Sequence, residues 1–77
     1  MTNNTADVTL HVDENTTHND REEFIESLYT INGVSTATYN DEKPHLLVIK
    51  YNPNIIQPDE FLKEAQSRGL HAELIGL

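Results

Sequence analysis

The sequence contains no cysteine and no tryptophan, and it has only five lysines and arginines against thirteen aspartates and glutamates. Without cysteine, the chain can form neither a disulfide nor a thiolate metal site, and it has no cysteine nucleophile. The net charge of -8 argues against nucleic acid and anionic membrane surfaces, because both are bound through lysine and arginine. The same charge is compatible with good solubility, a basic partner or a cation as ligand.

Long apolar segments are missing as well. No apolar run approaches the roughly 20 residues that a membrane helix requires. The polar N-terminal segment lacks the basic and apolar regions that are typical of a signal peptide. We therefore expect a cytoplasmic protein that does not insert into a membrane.

The sequence also lacks the patterns of common catalytic sites. A domain of about this size buries only about 60% of the surface that its unfolded chain exposes, which leaves little chain for a deep cleft. The three glycines are isolated from one another, so there is no glycine-rich phosphate-binding loop. No serine is accompanied by a histidine and an acid in an order that favours a catalytic triad. We therefore expect no enzymatic activity.

Apolar periodicity predicts a domain with both helices and strands. Val8, Leu10 and Val12 alternate with polar residues, which is typical of a half-buried strand. The segment FIESL has apolar residues at helical spacing, and Asn19 or Asp20 is the expected N-cap of that helix. The predicted strands lie near residues 8–13, 34–39, 45–51 and 71–76, the predicted helices lie near 20–31 and 58–68, and a flexible tail over 1–7 precedes a single domain over 8–77.

The predicted order of elements is β-α-β-β-α-β, which is typical of the ferredoxin-like fold. The expected fold class is therefore α+β, a two-layer sandwich in which two helices cover one face of a four-stranded antiparallel sheet. The second face of the sheet remains open in this arrangement.

From Val8 onwards, the ordered set of segments resembles a heavy-metal-associated (HMA) domain, the module of copper chaperones, mercury-binding proteins and the N-terminal regions of metal pumps. The matching segments are TLHV, FIESL, Asn-Gly-Val at 32–34, VIKYNP at 48–53 and FLKEAQSRGLHAELIGL. The resemblance implies the ferredoxin-like fold and a place in a metal-trafficking system. It also implies docking onto similar domains in partner proteins.

The sequence departs from this family at the metal site. Members carry two cysteines where the first strand meets the first helix, and counting back from Gly33 places those cysteines on Thr17 and Asp20. A threonine hydroxyl is a poor ligand for a soft ion such as Cu(I), and a carboxylate suits harder cations. The resemblance therefore implies the fold but not the thiolate metal site.

Three histidines are predicted to lie at one end of the sandwich. His18, His45 and His71, with Asp20 as an acidic neighbour, form an alternative metal site for Zn(II), Cu(II) or Ni(II). The competing interpretation is that these are solvated loop residues. Because strand alternation turns His71 towards the open face, we expect the three rings not to converge and any ion to bind weakly.

The open sheet face carries two further candidates. His11 and Glu73 are predicted to face each other across the first and fourth strands as a structural pair. Outward-facing apolar and β-branched residues form either a docking or dimerisation surface or an ordinary solvated face. The residues of this predicted interaction face are Leu46, Val48, Thr36, Thr38 and Ile75.

The sequence thus favours a non-catalytic accessory module related to metal-trafficking proteins, which binds no cofactor. Its expected partner is another protein, including a second HMA-like domain or a second copy of the chain bound through the open sheet face. The alternative is a metal carrier that uses histidine and carboxylate ligands in place of the two cysteines.

Overall fold

The computed structural model describes residues 4–76 of the chain, and they form four strands and two helices. The order is β-α-β-β-α-β, as the periodicity predicts. The elements are β1 (Ala6–Val12), α1 (His18–Tyr29), β2 (Val34–Asn40), β3 (Lys43–Tyr51), α2 (Asp59–Ser67) and β4 (Ala72–Gly76).

The strands form one antiparallel sheet in the order β2-β3-β1-β4. The two long central strands pair from Ala6 opposite Tyr51 to His11 opposite Leu46. The inward residues of the sheet pack against the apolar faces of both helices, and this confirms the two-layer α+β sandwich. The largest fully buried side chains are Phe24, Phe61, Leu10, Leu28, Leu47, Ile49, Val8 and Val12.

β1 and β3 each begin two residues before the predicted position. β1 begins at Ala6 rather than at residue 8, because Ala6 and Asp7 continue the ladder with Tyr51 and Lys50. Residues 6 and 7, which were predicted to belong to the N-terminal tail, are therefore part of the sheet. Residues 1–3 of the predicted tail lie outside the described residues. β3 begins at Lys43, two residues earlier than predicted, because the turn before it is short.

The start of α1 also differs from the prediction. The N-cap is Thr17 rather than Asn19 or Asp20, and the helix ends at Tyr29 rather than at residue 31. Gly33 lies in the turn that follows this helix, with φ of 102°. A Cβ atom there would lie 2.9 Å from the Cγ2 atom of Ile55, so both the backbone angle and the packing require glycine.

This topology brings three segments to one end of the sandwich: the C-terminal end of β1, the turn between β2 and β3, and the start of β4. The register shows the proximity directly, because Val12 lies opposite Ala72 and His11 lies opposite both Leu46 and Glu73. The candidate functional residues lie at this end. Within residues 4–76, neither helix is long and apolar enough to cross a membrane.

Candidate functional site

The first polar region at this end surrounds the N-terminus of α1 and is called here the α1 entrance. It consists of Thr16, Thr17, Asp20, Arg21 and Asp41. The Thr17 hydroxyl oxygen accepts a hydrogen bond of 3.1 Å from the backbone N–H of Asp20, and the Asp20 carboxylate accepts one of 3.1 Å from the backbone N–H of Thr17. This reciprocal capping box satisfies donors that a helix N-terminus otherwise leaves unpaired. Thr17 and Asp20, the positions at which the resemblance to HMA domains predicts the two cysteines, thus form a helix cap.

Arg21 is the buried charged residue of the α1 entrance, with a relative exposure of 8%. Its Nη1 donates to the backbone carbonyl of Thr16 at 2.6 Å and to the Thr16 hydroxyl at 3.1 Å, while its Nη2 lies 3.0 Å from Asp41 Oδ1. The guanidinium carbon also lies 5.5 Å from the centre of the Tyr39 ring, within the range of a cation–π contact. Arg21 therefore ties the loop before α1 to the turn between β2 and β3.

Asp41 receives a second partner from α1. His18 Nδ1 lies 3.1 Å from Asp41 Oδ1 and 3.1 Å from the Tyr39 hydroxyl oxygen. The hydrogen bond from His18, together with that from Arg21, lowers the pKa of the Asp41 carboxyl below its ordinary value of 3.8. His18, one of the three predicted metal ligands, is thus engaged at the α1 entrance.

His71 is held at a different place, by Glu14. The two oxygens of the Glu14 carboxylate accept the His71 backbone N–H at 2.8 Å and the His71 Nδ1–H at 2.6 Å. The bond from the His71 ring lowers the pKa of Glu14, and the same bond raises the pKa of His71. This pair fixes the chain at the start of β4.

His45, the third predicted ligand, turns its ring towards β1. Its Nδ1–H donates to the backbone carbonyl of Val12 at 2.7 Å. Because a carbonyl can only accept, this bond places the proton on Nδ1 and leaves the Nε2 lone pair free. The His45 ring stacks on the His11 ring, with centroids 5.6 Å apart and an interplanar angle of 19°.

The second polar region lies on the open face of the sheet and is called here the open-face cluster. It consists of His11, Asp13 and Glu73. His11 Nδ1 lies 3.2 Å from Asp13 Oδ1 and 3.3 Å from Glu73 Oε1. Within residues 4–76, these residues form the one group of three or more potential ligand atoms that all lie within 4.8 Å of one another.

The sequence predicts only part of the open-face cluster. The His11–Glu73 pair is confirmed, because the two residues lie opposite each other in the ladder and their side chains are in contact. Asp13 is the member that sequence reasoning missed. The available signal was its position two residues after His11, since strand alternation places such residues on the same face.

The predicted interaction face occupies the rest of the open sheet face. Val48 and Ile75 are 43% and 56% exposed, and Leu46 is half-buried. Thr36 and Thr38 are exposed on the neighbouring strand β2. This face contains a hollow of about 360 Å³, which is lined by Thr9, Thr38, Tyr39, Asn40, Lys43, Leu46 and Val48.

The sequence matches no protein-family model and no curated protein. Solved structures, in contrast, match closely in fold. The N-terminal domain of a potential copper-translocating P-type ATPase from Bacillus subtilis, in its Cu(I)-loaded state, superimposes with a TM-score of 0.84 at 19% identity, over 94% of this chain and 89% of that chain.

Two further structures show the same similarity. Oxidised MerP from Ralstonia metallidurans has a TM-score of 0.81 at 18% identity, over 91% of this chain and 96% of its own. The apo form of a copper chaperone from Enterococcus hirae has a TM-score of 0.78 at 20% identity, over 88% of this chain and 98% of its own. The chain therefore has the fold of these domains, in a form that contains no cysteine.

Proposed function

We propose that this chain is a non-catalytic accessory domain of a metal-trafficking system, which acts through protein contacts instead of a thiolate metal site. The observation that carries the proposal is the α1 entrance. Thr17 and Asp20, to which the resemblance assigns the positions of the HMA cysteines, use their polar groups to cap α1. The buried Arg21 guanidinium lies against the adjacent Thr16, so a cation bound there would also meet a positive charge.

The proposed partner is a protein that has the same fold, either a second copy of this chain or a related domain. The open sheet face supports this part of the proposal, because Val48 and Ile75 are exposed beside the half-buried Leu46. Of these two partners, the net charge of -8 favours a related domain with a basic surface, because a second copy would carry the same negative charge. We propose a cytoplasmic location, with which the polar and acidic composition is compatible.

A competition for Cu(I) tests the loss of the thiolate site. The chain is titrated into a complex of Cu(I) with a strong chromogenic chelator, and we expect the absorbance of that complex to remain unchanged, since the chain offers no pair of soft ligands. The matched variant carries Thr17→Cys together with Asp20→Cys and should withdraw copper from the chelator. Stoichiometric withdrawal by the unmodified chain would contradict the proposal.

Sedimentation velocity tests the docking surface, both for the chain alone and for its mixture with a thiol-bearing domain of the same fold. Replacing Leu46 and Val48 together with threonine should reduce association, while the β-branched side chains keep the strand intact. The control is Ile55→Thr, since Ile55 is 53% exposed but lies in the loop before α2. Association that persists in the folded double variant, or that is absent from the unmodified chain, would remove this face as the docking surface.

The second candidate function is metal carriage by histidine and carboxylate ligands, with Zn(II), Cu(II) or Ni(II) as cargo. The predicted ligands of that site have separate partners, since His18 contacts Asp41, His45 contacts Val12 and His71 contacts Glu14. The specific observation that favours cation binding is instead the open-face cluster.

A further inference from the structure

We infer that His11, Asp13 and Glu73 form a binding site for a divalent cation of borderline softness, such as Zn(II), on the open face of the sheet. This site is distinct from the α1 entrance and uses none of the residues that correspond to the HMA cysteines. The inference does not depend on the proposed docking function, because it concerns other residues and another ligand.

The distances within the open-face cluster fit a coordination sphere. Nitrogen and carboxylate ligands lie about 2.0–2.2 Å from Zn(II), so that two donors on the same ion are about 3–3.6 Å apart. His11 Nδ1 lies 3.2 Å from Asp13 Oδ1 and 3.3 Å from Glu73 Oε1. Both distances fall within that range without a change of rotamer.

Within the open-face cluster, a single ring nitrogen faces two carboxylates. A single imidazole nitrogen carries at most one proton and can donate it to only one of the two carboxylates. Asp13 and Glu73 therefore compete for His11 Nδ1 while their negative charges repel each other. A divalent cation would accept all three donors at once, and its charge would balance that of the two carboxylates.

The backbone positions these ligands on regular structure. His11 lies on β1, Asp13 directly follows the last residue of that strand, and Glu73 lies directly opposite His11 on β4. The backbone N–H of Asp13 donates to the carbonyl of His71 at 2.8 Å, which extends the pairing of the two strands to Asp13. Ligands that are held by a strand ladder lose little conformational freedom when an ion binds.

The orientation of the His11 ring is also supported. His45 is locked by its 2.7 Å hydrogen bond to the Val12 carbonyl, and the His11 ring stacks on it at 5.6 Å. A ligand ring that is oriented by its neighbours is the usual arrangement around protein metal sites. His45 is therefore a positioning residue for His11 in this inference.

The ligand set selects among metals. One imidazole and two carboxylates, with water in the remaining positions, suit Zn(II), Ni(II) and Cu(II). Cu(I) prefers sulfur ligands, and Ca(II) requires six to eight oxygens. The inferred ligand class is therefore a borderline divalent ion.

Isothermal titration calorimetry with zinc chloride near neutral pH tests the inference on the full chain, in a buffer that does not chelate zinc. We expect one saturable ion per monomer. Asp13→Asn and Glu73→Gln, which preserve side-chain size, should each weaken binding by at least about tenfold. NMR detection of the imidazole nitrogens should show the largest zinc-induced shift at His11 Nδ1.

Two control variants make the result specific. Asp7→Asn removes the same charge from the same exposed face of β1 outside the cluster, and His18→Ala removes a histidine at the α1 entrance; both should bind zinc as the unmodified chain does. The inference is overturned if no saturable site tighter than about 100 µM is found, or if binding survives in both cluster variants. Loss of binding in the His18 variant would likewise overturn it. None of these outcomes changes the Cu(I) competition or the docking test.

Discussion

The α1 entrance and the open-face cluster lie at the same end of the sandwich, and both combine a cationic or imidazole group with two carboxylates. They differ in how completely their polar groups are paired. At the α1 entrance, Thr17 and Asp20 satisfy each other through the capping box, and Arg21 donates to Thr16 and to Asp41. Of the buried side-chain polar atoms in this region, Arg21 Nε alone lacks a hydrogen-bond partner within residues 4–76. In the open-face cluster, one ring nitrogen faces two carboxylates.

Charge content alone therefore does not distinguish a structural polar region from a binding site. A region whose donors and acceptors already satisfy one another gains little from a ligand, and its residues contribute to stability. A region with an excess of converging acceptors is compatible with a cation that the protein does not itself supply. Four substitutions test the distinction. Three of them remove groups of the α1 entrance and should lower the stability of the fold, whereas the fourth removes a group of the open-face cluster and should leave the stability almost unchanged.

The largest expected effect is that of Arg21→Ala at the α1 entrance. Removal of the Arg21 side chain abolishes its charge-assisted hydrogen bonds to the Thr16 carbonyl and to Asp41. We expect the free energy of unfolding in urea to fall by about 1.5–3 kcal/mol. The matched control is Arg68→Ala, because Arg68 is exposed and its side chain pairs only with Glu64 within residues 4–76. Its removal should cost less than about 1 kcal/mol. Equal losses in the two variants would mean that Arg21 does not tie the loop to the sheet.

The next effect is that of Thr17→Ala, which deletes the hydroxyl acceptor of the capping box. The loss of an N-cap side chain typically costs about 1 kcal/mol of unfolding free energy, and chemical denaturation measures it. Asn19→Ala is the control, since Asn19 is an exposed residue of the first helical turn. A Thr17→Ala variant as stable as the Asn19→Ala variant would show that the cap does not stabilise α1.

A smaller, pH-dependent effect is expected from Asp41→Asn. Since His18 and Arg21 lower the folded-state pKa of Asp41 below 3.8, ionised Asp41 stabilises the fold above that pH and loses this contribution as the pH falls through the folded-state pKa. The melting temperature of the unmodified chain should therefore exceed that of the variant above about pH 5, and the difference should shrink towards pH 3. A difference that is constant across this range would contradict the proposed pairing.

The smallest effect is expected from Glu73→Gln in zinc-free buffer. The substitution weakens the contact with His11 but also removes the repulsion between Glu73 and Asp13, so the unfolding free energy should change by no more than about 0.5 kcal/mol. Added zinc should then raise the melting temperature of the unmodified chain more than that of the variant, because a ligand stabilises the state that binds it. A large loss of stability in zinc-free buffer would show that Glu73 is a structural residue comparable to Arg21.

Most of the fold could be predicted from the sequence. The alternation of Val8, Leu10 and Val12 and the helical spacing in FIESL report directly on which side chains are buried, and the six predicted elements all occur. The start of α1 could not be located in the same way, because several consecutive polar residues can serve as an N-cap. Thr17 was selected over Asn19 by its reciprocal bonds with Asp20, which depend on local geometry.

The candidate sites were less accessible to sequence reasoning. Topology correctly placed His18, His45 and His71 at one end of the sandwich. It did not indicate that each ring would bond to a different neighbour, namely Asp41, the Val12 carbonyl and Glu14. These partners are distant in sequence or belong to the backbone, so that no local pattern identifies them.

The β-α-β-β-α-β order, the absence of a thiolate site and the net negative charge all follow from residue types and their spacing along the chain. The partners of the individual polar residues, in contrast, depend on the packing of the folded chain. Arg21 is buried and paired because the β2–β3 turn brings Asp41 to it, and Asp13 joins His11 and Glu73 because β4 pairs with β1 at that register. Hydrogen bonds and ion coordination act over about 2–4 Å, and distances this short between residues far apart in sequence are set by how the strands and helices pack.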